Sequence, residues 1–196
     1  MGSLNLAIIH YPVVDKKGQI VSTSLNNLEI HDVARSCMTF GVDLCYIVTP
    51  LDRQRSIAEQ LIDHWKSGFG REYNPDRAVA LEKIRIAPSL ADVTEHLHGS
   101  DPVAMIGTSS RRRENSISYG DLSRKIKSDS RSYLLLFGTG WGLTPEMVAG
   151  CERILMPIAG PGEYNHLSLR VAIGIILDRL LGNREEEVKA LSGSIG

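Results

Sequence analysis

The chain has 196 residues, of which 42% are hydrophobic and 23% are charged, values that fit one compact α/β domain spanning residues 1–196. The net charge is −1 and the three cysteines are scattered without C-x-x-C spacing, so an overall basic surface, a disulfide scaffold and a zinc site are not expected. The N-terminus lacks a signal peptide's basic segment and no apolar run reaches the ~20 residues of a membrane span, which predicts a soluble, cytoplasmic protein.

Short apolar runs alternate with helical patterns along the whole chain. Strands are predicted at 4–10, 43–49, 83–88, 102–108, 132–138 and 153–158. Helices are predicted near 29–40, 51–66, 89–98, 119–128, 144–150 and 166–182. Several strands are apolar nearly throughout, so the alternation predicts a mostly parallel sheet with helices on both faces. Asn165 is a good N-cap for the last helix, whose first turn would then hold His166 and Ser168.

Two strands near the C-terminus each run into a glycine-rich loop, FGTGWGL (137–143) and MPIAGPGEYNH (156–166). Glycines at 138, 140 and 142 permit positive φ and let backbone amides approach a ligand, although each loop could also be a simple strand-to-helix connection. Two such loops at one sheet edge would build a pocket of low charge, which suits a flat, partly apolar ligand better than a polyphosphate. Leu143 stands where a dinucleotide fingerprint needs glycine and a Walker lysine is absent, so Rossmann and P-loop sites fit poorly.

A third cluster, NLEIHDVARS (27–36), lies on the first predicted helix. Asp32 and Arg35 share one face of that helix, and Glu29 lies one turn before them. This arrangement predicts either a surface ion pair of small energetic value or a general base with a cationic partner beside a ligand.

A fourth cluster follows the strand that ends at Thr108, where Arg111, Arg112 and Arg113 form the densest positive charge in the chain. Arginine binds phosphates through paired hydrogen bonds, so this loop could face RNA, or it could be an ordinary solvated loop. The patch could be extended by Lys16, Lys17, Arg71 and Arg77.

Taken together, these clusters and HYPVVDKKG (10–18) resemble the SPOUT superfamily of S-adenosylmethionine-dependent RNA methyltransferases. The likeness is greatest to a small bacterial family sometimes fused to a tRNA guanine-N1 methyltransferase, and FGTGWGL with YNHLSLRVA (164–172) carries it most specifically. The resemblance implies a C-terminal deep trefoil knot and a homodimer formed through the knot region. The nearly all-round apolar pattern of 167–181 agrees with burial against a second subunit.

The resemblance also implies the functional residues. S-adenosylmethionine would be held by three loops, which contain Thr108, Ser109, Phe137, Gly138, Thr139, Gly140, Trp141, Gly142, Leu143, Met156, Pro157, Ile158, Asn165, His166, Leu167 and Ser168. Arg35 stands where ribose-2′-O members carry an arginine, but Glu29, His31 and Asp32 depart from their pattern, which leaves room for base methylation with Asp32 or Glu29 as proton acceptor. His166 could contact the cofactor or the target nucleotide.

The function expected from these residues is methylation of tRNA or rRNA, on a base or on a ribose 2′-oxygen, without a metal. Two other interpretations stay open. The chain could be an accessory subunit that binds cofactor and RNA for another methyltransferase, or a Rossmann-type nucleotide-binding enzyme.

Overall fold

The structure of the protein, a computed structural model, describes residues 2–67, 69–98 and 102–183. Its strands are β1 (Ser3–Ile9), β2 (Val13–Val14), β3 (Ile20–Val21), β4 (Cys45–Val48), β5 (Ile84–Ala87), β6 (Ala104–Gly107), β7 (Ser116–Ile117), β8 (Ser132–Gly138) and β9 (Arg153–Leu155). Its helices are α1 (Asn27–Phe40), α2 (Asp52–Ser67), α3 (Phe69–Tyr73), α4 (Pro75–Leu81), α5 (Leu90–Leu97), α6 (Tyr119–Ser128), α7 (Pro145–Ala149) and α8 (Leu169–Leu181).

Seven strands form one sheet in the order β5-β4-β1-β8-β6-β9-β7, and every pairing in it is parallel. The predicted parallel α/β architecture is therefore confirmed, as are the six predicted strands and six predicted helices, within a few residues at their ends. The antiparallel pair of β2 and β3 lies outside this sheet and follows β1.

Helices cover both faces of the sheet. Side chains alternate along each strand, so every strand contributes residues to the core on each face. On β1, Leu6 and Ile8 join a core cluster that includes buried apolar residues from each of α1, α2, α4, α6 and α8. Ala7 and Ile9 point to the other face and pack in a second cluster with Val93 of α5. All four of these β1 side chains are fully buried, which explains why the strand is apolar without alternation.

The last helix begins later than predicted. Ser168 is its N-cap residue and the helix starts at Leu169, so Asn165 is not the cap and His166 lies in the preceding loop. The Asn165 side chain instead donates a hydrogen bond to the Ser110 backbone oxygen, at 3.0 Å. The amide therefore joins two loops rather than capping a helix.

The carboxyl ends of β1, β8, β6 and β9 lie side by side at one edge of the sheet. Ile9 is in register with Gly138, and Gly107 is in register with both Leu136 and Ile154. This edge gathers the loops that the sequence marked as functional. Within the described ranges, no helix is long and apolar enough to cross a membrane. The same ranges hold no cluster of histidine, cysteine, aspartate and glutamate that could bind a metal ion.

Candidate active site

A cavity of about 1410 Å³ opens at this edge of the sheet. All sixteen residues predicted to hold the cofactor line it, and they come from the loops after β6, β8 and β9: Thr108, Ser109, Phe137, Gly138, Thr139, Gly140, Trp141, Gly142, Leu143, Met156, Pro157, Ile158, Asn165, His166, Leu167 and Ser168. Parallel strands place their carboxyl ends together, so three segments that are distant in sequence form one wall.

The loop after β8 is tightly folded, and two of its glycines adopt conformations that other residues rarely take. Gly140 has φ +61° and Gly142 has φ +111°. A Cβ on Gly138 would lie 2.4 Å from the backbone nitrogen of Leu143, so glycine is needed there for close approach rather than for positive φ. Val14 of β2 holds the loop, since its oxygen accepts from the Trp141 amide at 3.0 Å and its amide donates to the Gly142 oxygen at 3.1 Å.

The loop after β9 is anchored at both ends. The Met156 amide donates to the Ile117 oxygen at 2.9 Å, which continues the sheet edge. Farther along, Asn165 donates to Ser110 in the loop after β6. The loops after β6 and β9 are therefore joined directly to each other.

Polarity is unevenly distributed over the cavity wall. Phe137 and Leu155 are buried apolar side chains, whereas Lys16, Arg111 and Arg113 are exposed. An apolar interior bounded by backbone groups, with charges at exposed positions, can hold a flat, partly apolar ligand beside a charged partner.

Tyr119 is a further wall residue that the sequence did not indicate. Its hydroxyl is buried and has no hydrogen-bond partner within the ranges described, and burial raises the pKa of this phenol. The Arg179 guanidinium lies 5.1 Å from the centre of the Tyr119 ring and opposes that rise in pKa. The Tyr119 hydroxyl thus remains protonated and can donate a hydrogen bond.

The four candidate catalytic residues separate into two groups. Glu29 and His166 line the cavity. Asp32 and Arg35, farther along α1, do not line it. Asp32 pairs with Arg170 of α8 rather than with Arg35, and Arg35 is exposed.

Glu29 is held by a line of polar side chains that leads to the glycine loop. Its Oε1 lies 2.9 Å from Nε2 of His10, and the His10 Nδ1 lies 2.9 Å from Oγ1 of Thr23. The Thr23 hydroxyl is 2.5 Å from the hydroxyl of Thr139, which donates to the backbone oxygen of Ile9 at 2.9 Å. His10 is 1% exposed and Glu29 is 8% exposed, so water competes little with these contacts.

Sequence reasoning did not single out His10 or Thr23 as functional. One signal was available for His10, because a histidine directly after a buried strand lies at the ligand-binding edge of a parallel sheet. Thr23 carried no comparable signal, since it lies in an irregular segment between β3 and α1.

The three arginines after β6 are all exposed. Arg111 and Arg113 line the cavity, while Arg112 borders a small neighbouring depression that it shares with Arg113 and Glu114. Of the basic residues that could have extended this patch, Lys16 also lines the cavity, whereas Arg77 lies 4.1 Å from the centre of the Trp65 ring beside α2. Basic side chains thus lie beside the cavity opening, together with the carboxyl groups of Asp15 and Glu163, which also line the cavity.

Comparison with known proteins adds independent information. The profile of a family described as SAM-dependent RNA methyltransferase matches residues 3–182. A tRNA (guanine-N(1)-)-methyltransferase of Nitratidesulfovibrio vulgaris is 42% identical over 185 residues, which are 92% of this chain and 42% of that protein. A protein of Aquifex aeolicus is 39% identical over 178 residues, 89% of this chain and 86% of its own length.

Among solved structures, the SpoU methyltransferase AviRb from Streptomyces viridochromogenes, crystallised with AdoMet, has a similar fold. It superposes with a TM-score of 0.56 at 16% identity, over 93% of this chain and 58% of its own. The chain spans less than half the length of the tRNA methyltransferase relative. The similarity therefore does not assign the substrate of that longer protein to this chain.

Proposed function

The chain belongs to the family of S-adenosylmethionine-dependent RNA methyltransferases, and on that premise we propose that it methylates a nucleotide of tRNA or rRNA at the cavity described above. The observation that carries the proposal is the convergence of three loops on one cavity that also contains the buried carboxyl group of Glu29. With tRNA or rRNA as the methyl acceptor, we propose that the protein acts in the cytoplasm.

The residues of the cavity fit the methyl donor. The loop Phe137–Leu143 offers backbone groups at Gly140 and Gly142, and no atom would lie within 4 Å of a Cβ on Gly142, so its backbone borders open space. Leu143 and Ile158 supply apolar surface for an adenine ring. S-adenosylmethionine, when bound, supplies a methyl group activated by attachment to a sulfonium sulfur.

Glu29 is the proposed proton acceptor. An oxygen or nitrogen that takes a methyl group loses a proton, and a carboxylate in the cavity wall can receive it. Oε1 of Glu29 is the oxygen that faces His10, which leaves Oε2 as the oxygen proposed to take the proton. Asp32 and Arg35 would have to act from outside the cavity, either across a subunit interface or by binding RNA.

Arg111, Arg112 and Arg113 are proposed to bind RNA phosphates beside the cavity opening. His166, which is exposed on the loop after β9 and lines the cavity, is proposed to touch the cofactor or the target nucleotide. If the target base is paired in a duplex, it must leave the stack to reach the cavity.

A homodimer and a knot complete the proposal. Leu167 is 45% and Val171 50% exposed, and Trp141 on the glycine loop is 61% exposed. Together they offer apolar surface beside the cavity, which suits a second copy of the chain. A trefoil knot would thread the chain through the region of the loops after β8 and β9, and it rests on the SPOUT resemblance.

One observation keeps an accessory role as a second candidate. The tRNA methyltransferase relative is more than twice as long as its matched part, so its named activity could reside in the rest of that protein. In that case, the chain would bind cofactor and RNA but transfer no methyl group by itself.

Calorimetric titration with S-adenosylmethionine, followed by methyl transfer from labelled cofactor to RNA from cells lacking the gene, tests the proposal. Mass spectrometry of the RNA nucleosides then identifies the methylated atom. Ala172→Trp places a large ring against the cavity and should weaken cofactor binding, while Ala91→Trp, exposed on α5, should not. No binding at millimolar cofactor contradicts the proposal, and binding without transfer favours the accessory role.

A further inference from the structure

Tyr119 carries a hydrogen-bond donor that no group in the described ranges accepts. Its side chain lines the cavity, and its hydroxyl oxygen is buried without a hydrogen-bond partner there. The guanidinium of Arg179 lies 5.1 Å from the centre of the ring, but a guanidinium has only donors, so it cannot accept the phenolic hydrogen. Folded proteins leave few buried donors unpaired, because each one destabilises the fold. This hydroxyl therefore indicates an acceptor that the described chain does not supply.

The neighbours of Tyr119 in the cavity wall are apolar. Ile117, two residues before it, is in register with Leu155 of β9. On α8, Ile176 lies one turn before Arg179 and on the same side of the helix. Leu155 and Ile176 are both buried and both line the cavity. Tyr119 is thus a polar group between apolar neighbours.

The position of Tyr119 is fixed by the start of α6. Tyr119 is the first residue of this helix, and the N-cap residue Ser118 accepts from the Asp121 amide at 3.1 Å. One turn farther on, the Ser123 hydroxyl donates to the Leu180 backbone oxygen of α8 at 2.7 Å. Because two helices hold the ring in place, a ligand would lose little free energy in ordering it.

The adenine of S-adenosylmethionine fits this part of the wall. The methionyl end of the cofactor carries a carboxylate, an ammonium group and the sulfonium, and charged groups are costly to bury among apolar side chains. Adenine has two apolar faces, and its ring nitrogens N1, N3 and N7 accept hydrogen bonds. An apolar wall with one hydrogen-bond donor matches that chemistry.

We propose that Tyr119 is a specificity-determining residue, which donates its phenolic hydrogen to a ring nitrogen of the cofactor's adenine. The proposal rests on the function proposed above, because it needs S-adenosylmethionine in this cavity. A site with a buried donor rejects ligands that lack the matching acceptor, since the donor then stays unpaired. Tyr119 would therefore select for adenine among flat rings of the same size.

Calorimetric titration of the full chain with S-adenosylmethionine and with S-adenosylhomocysteine tests the assignment. Tyr119→Phe removes one oxygen atom, and its affinity for both ligands should fall about tenfold, as expected for the loss of one hydrogen bond. Both ligands carry the same adenine, so the two factors should agree. The thermal unfolding midpoint of the ligand-free variant should not fall, because the lost hydroxyl has no acceptor in the described chain.

Tyr133→Phe is the matched control. Tyr133 is 2% exposed, lies outside the cavity wall and donates its hydroxyl hydrogen to Asp129 at 2.6 Å. This variant loses a hydrogen bond that the protein makes with itself. Its unfolding midpoint should fall by about 2–4 °C while its affinity for both ligands stays unchanged.

Ligand analogues locate the acceptor. In three analogues of S-adenosylhomocysteine, carbon replaces nitrogen at N1, N3 or N7 of the adenine. One of them should bind the wild type about tenfold more weakly than S-adenosylhomocysteine does. The same analogue and S-adenosylhomocysteine should bind Tyr119→Phe equally well, because that variant has no donor to leave unpaired.

Unchanged affinity of Tyr119→Phe for both ligands would overturn the assignment, and a lower unfolding midpoint beside it would mean that the hydroxyl serves the fold. An analogue series in which the wild type and Tyr119→Phe lose affinity equally would also overturn it. A wild type that binds neither ligand contradicts the proposed function itself. A wild type and a Tyr119→Phe variant that bind both ligands equally well contradict only the role of Tyr119.

Discussion

Asn165 and Ser110 join two walls of the cavity, because the Asn165 side-chain amide donates a hydrogen bond to the Ser110 backbone oxygen at 3.0 Å. The first residue belongs to the loop after β9 and the second to the loop that carries the three arginines. The bond therefore links the part of the wall proposed to hold the cofactor to the part proposed to meet RNA.

Replacing Asn165 by aspartate should loosen this link without changing the size of the side chain. The carboxylate cannot donate and would face the Ser110 oxygen, so a bond of about 1 kcal/mol is lost and cofactor affinity should fall about fivefold. Calorimetric titration measures the affinity. Because Asn165 is only half-buried in a surface loop, the free energy of unfolding should change by less than about 0.5 kcal/mol. Unchanged cofactor affinity would show that the link does not shape the cavity.

The glycine loop allows a matched comparison of two Gly→Ala substitutions. Gly138→Ala would place a Cβ atom 2.4 Å from the Leu143 backbone nitrogen. We therefore expect the free energy of unfolding to fall by about 1–3 kcal/mol and cofactor binding to weaken. Gly174→Ala, on α8, adds a Cβ atom with nothing within 4 Å of it. Because alanine favours the helix more than glycine does, this variant should raise the free energy of unfolding by about 0.5–1 kcal/mol. Chemical denaturation checks both values, and equal effects at the two positions would contradict the tight fold of the loop.

The strands and the site loops could be predicted for different reasons. β1 and β8 are long, apolar and β-branched or leucine-rich, so their pattern is readable without knowing their neighbours. β2, β3 and β7 have two residues each, which is too few to show the alternation of a strand. They are recognised only by their pairing with neighbouring strands. The short helices α3 and α4 were also missed, since five and seven residues show little of a helical repeat. The five-residue α7 was predicted because it follows a strand and a glycine-rich loop.

The polar line beside the cavity shows what sequence reading could not supply. His10 and Glu29 are 19 residues apart, and Thr23 and Thr139 are 116 residues apart. Their contacts depend on the order of β1 and β8 in the sheet, which one sequence does not reveal. Glu29 could be proposed as a candidate from its position on α1, but its advantage over Asp32 became visible only with the cavity in place.

Arg112 offers a way to separate RNA binding from cofactor binding. It is exposed and does not line the main cavity, so Arg112→Glu should weaken RNA binding and reduce the salt dependence of that binding by about one phosphate contact. The affinity for S-adenosylmethionine should stay the same. Lys127→Glu, an equal change of charge on the exposed face of α6, is the control. Equal loss of RNA affinity in the two variants would mean that only overall charge matters.

The proposed dimer predicts a change of mass when its apolar surface is made charged. Val171 is 50% exposed on α8, and an aspartate there would have to be buried without a partner in the interface, so Val171→Asp should produce a monomer. Ile57→Asp is the matched control, because Ile57 is 63% exposed on α2 and lies outside this surface. Sedimentation equilibrium measures the mass of each variant. A monomeric wild type would contradict the proposed dimer. A Val171→Asp variant that remains a dimer would show that the interface lies elsewhere.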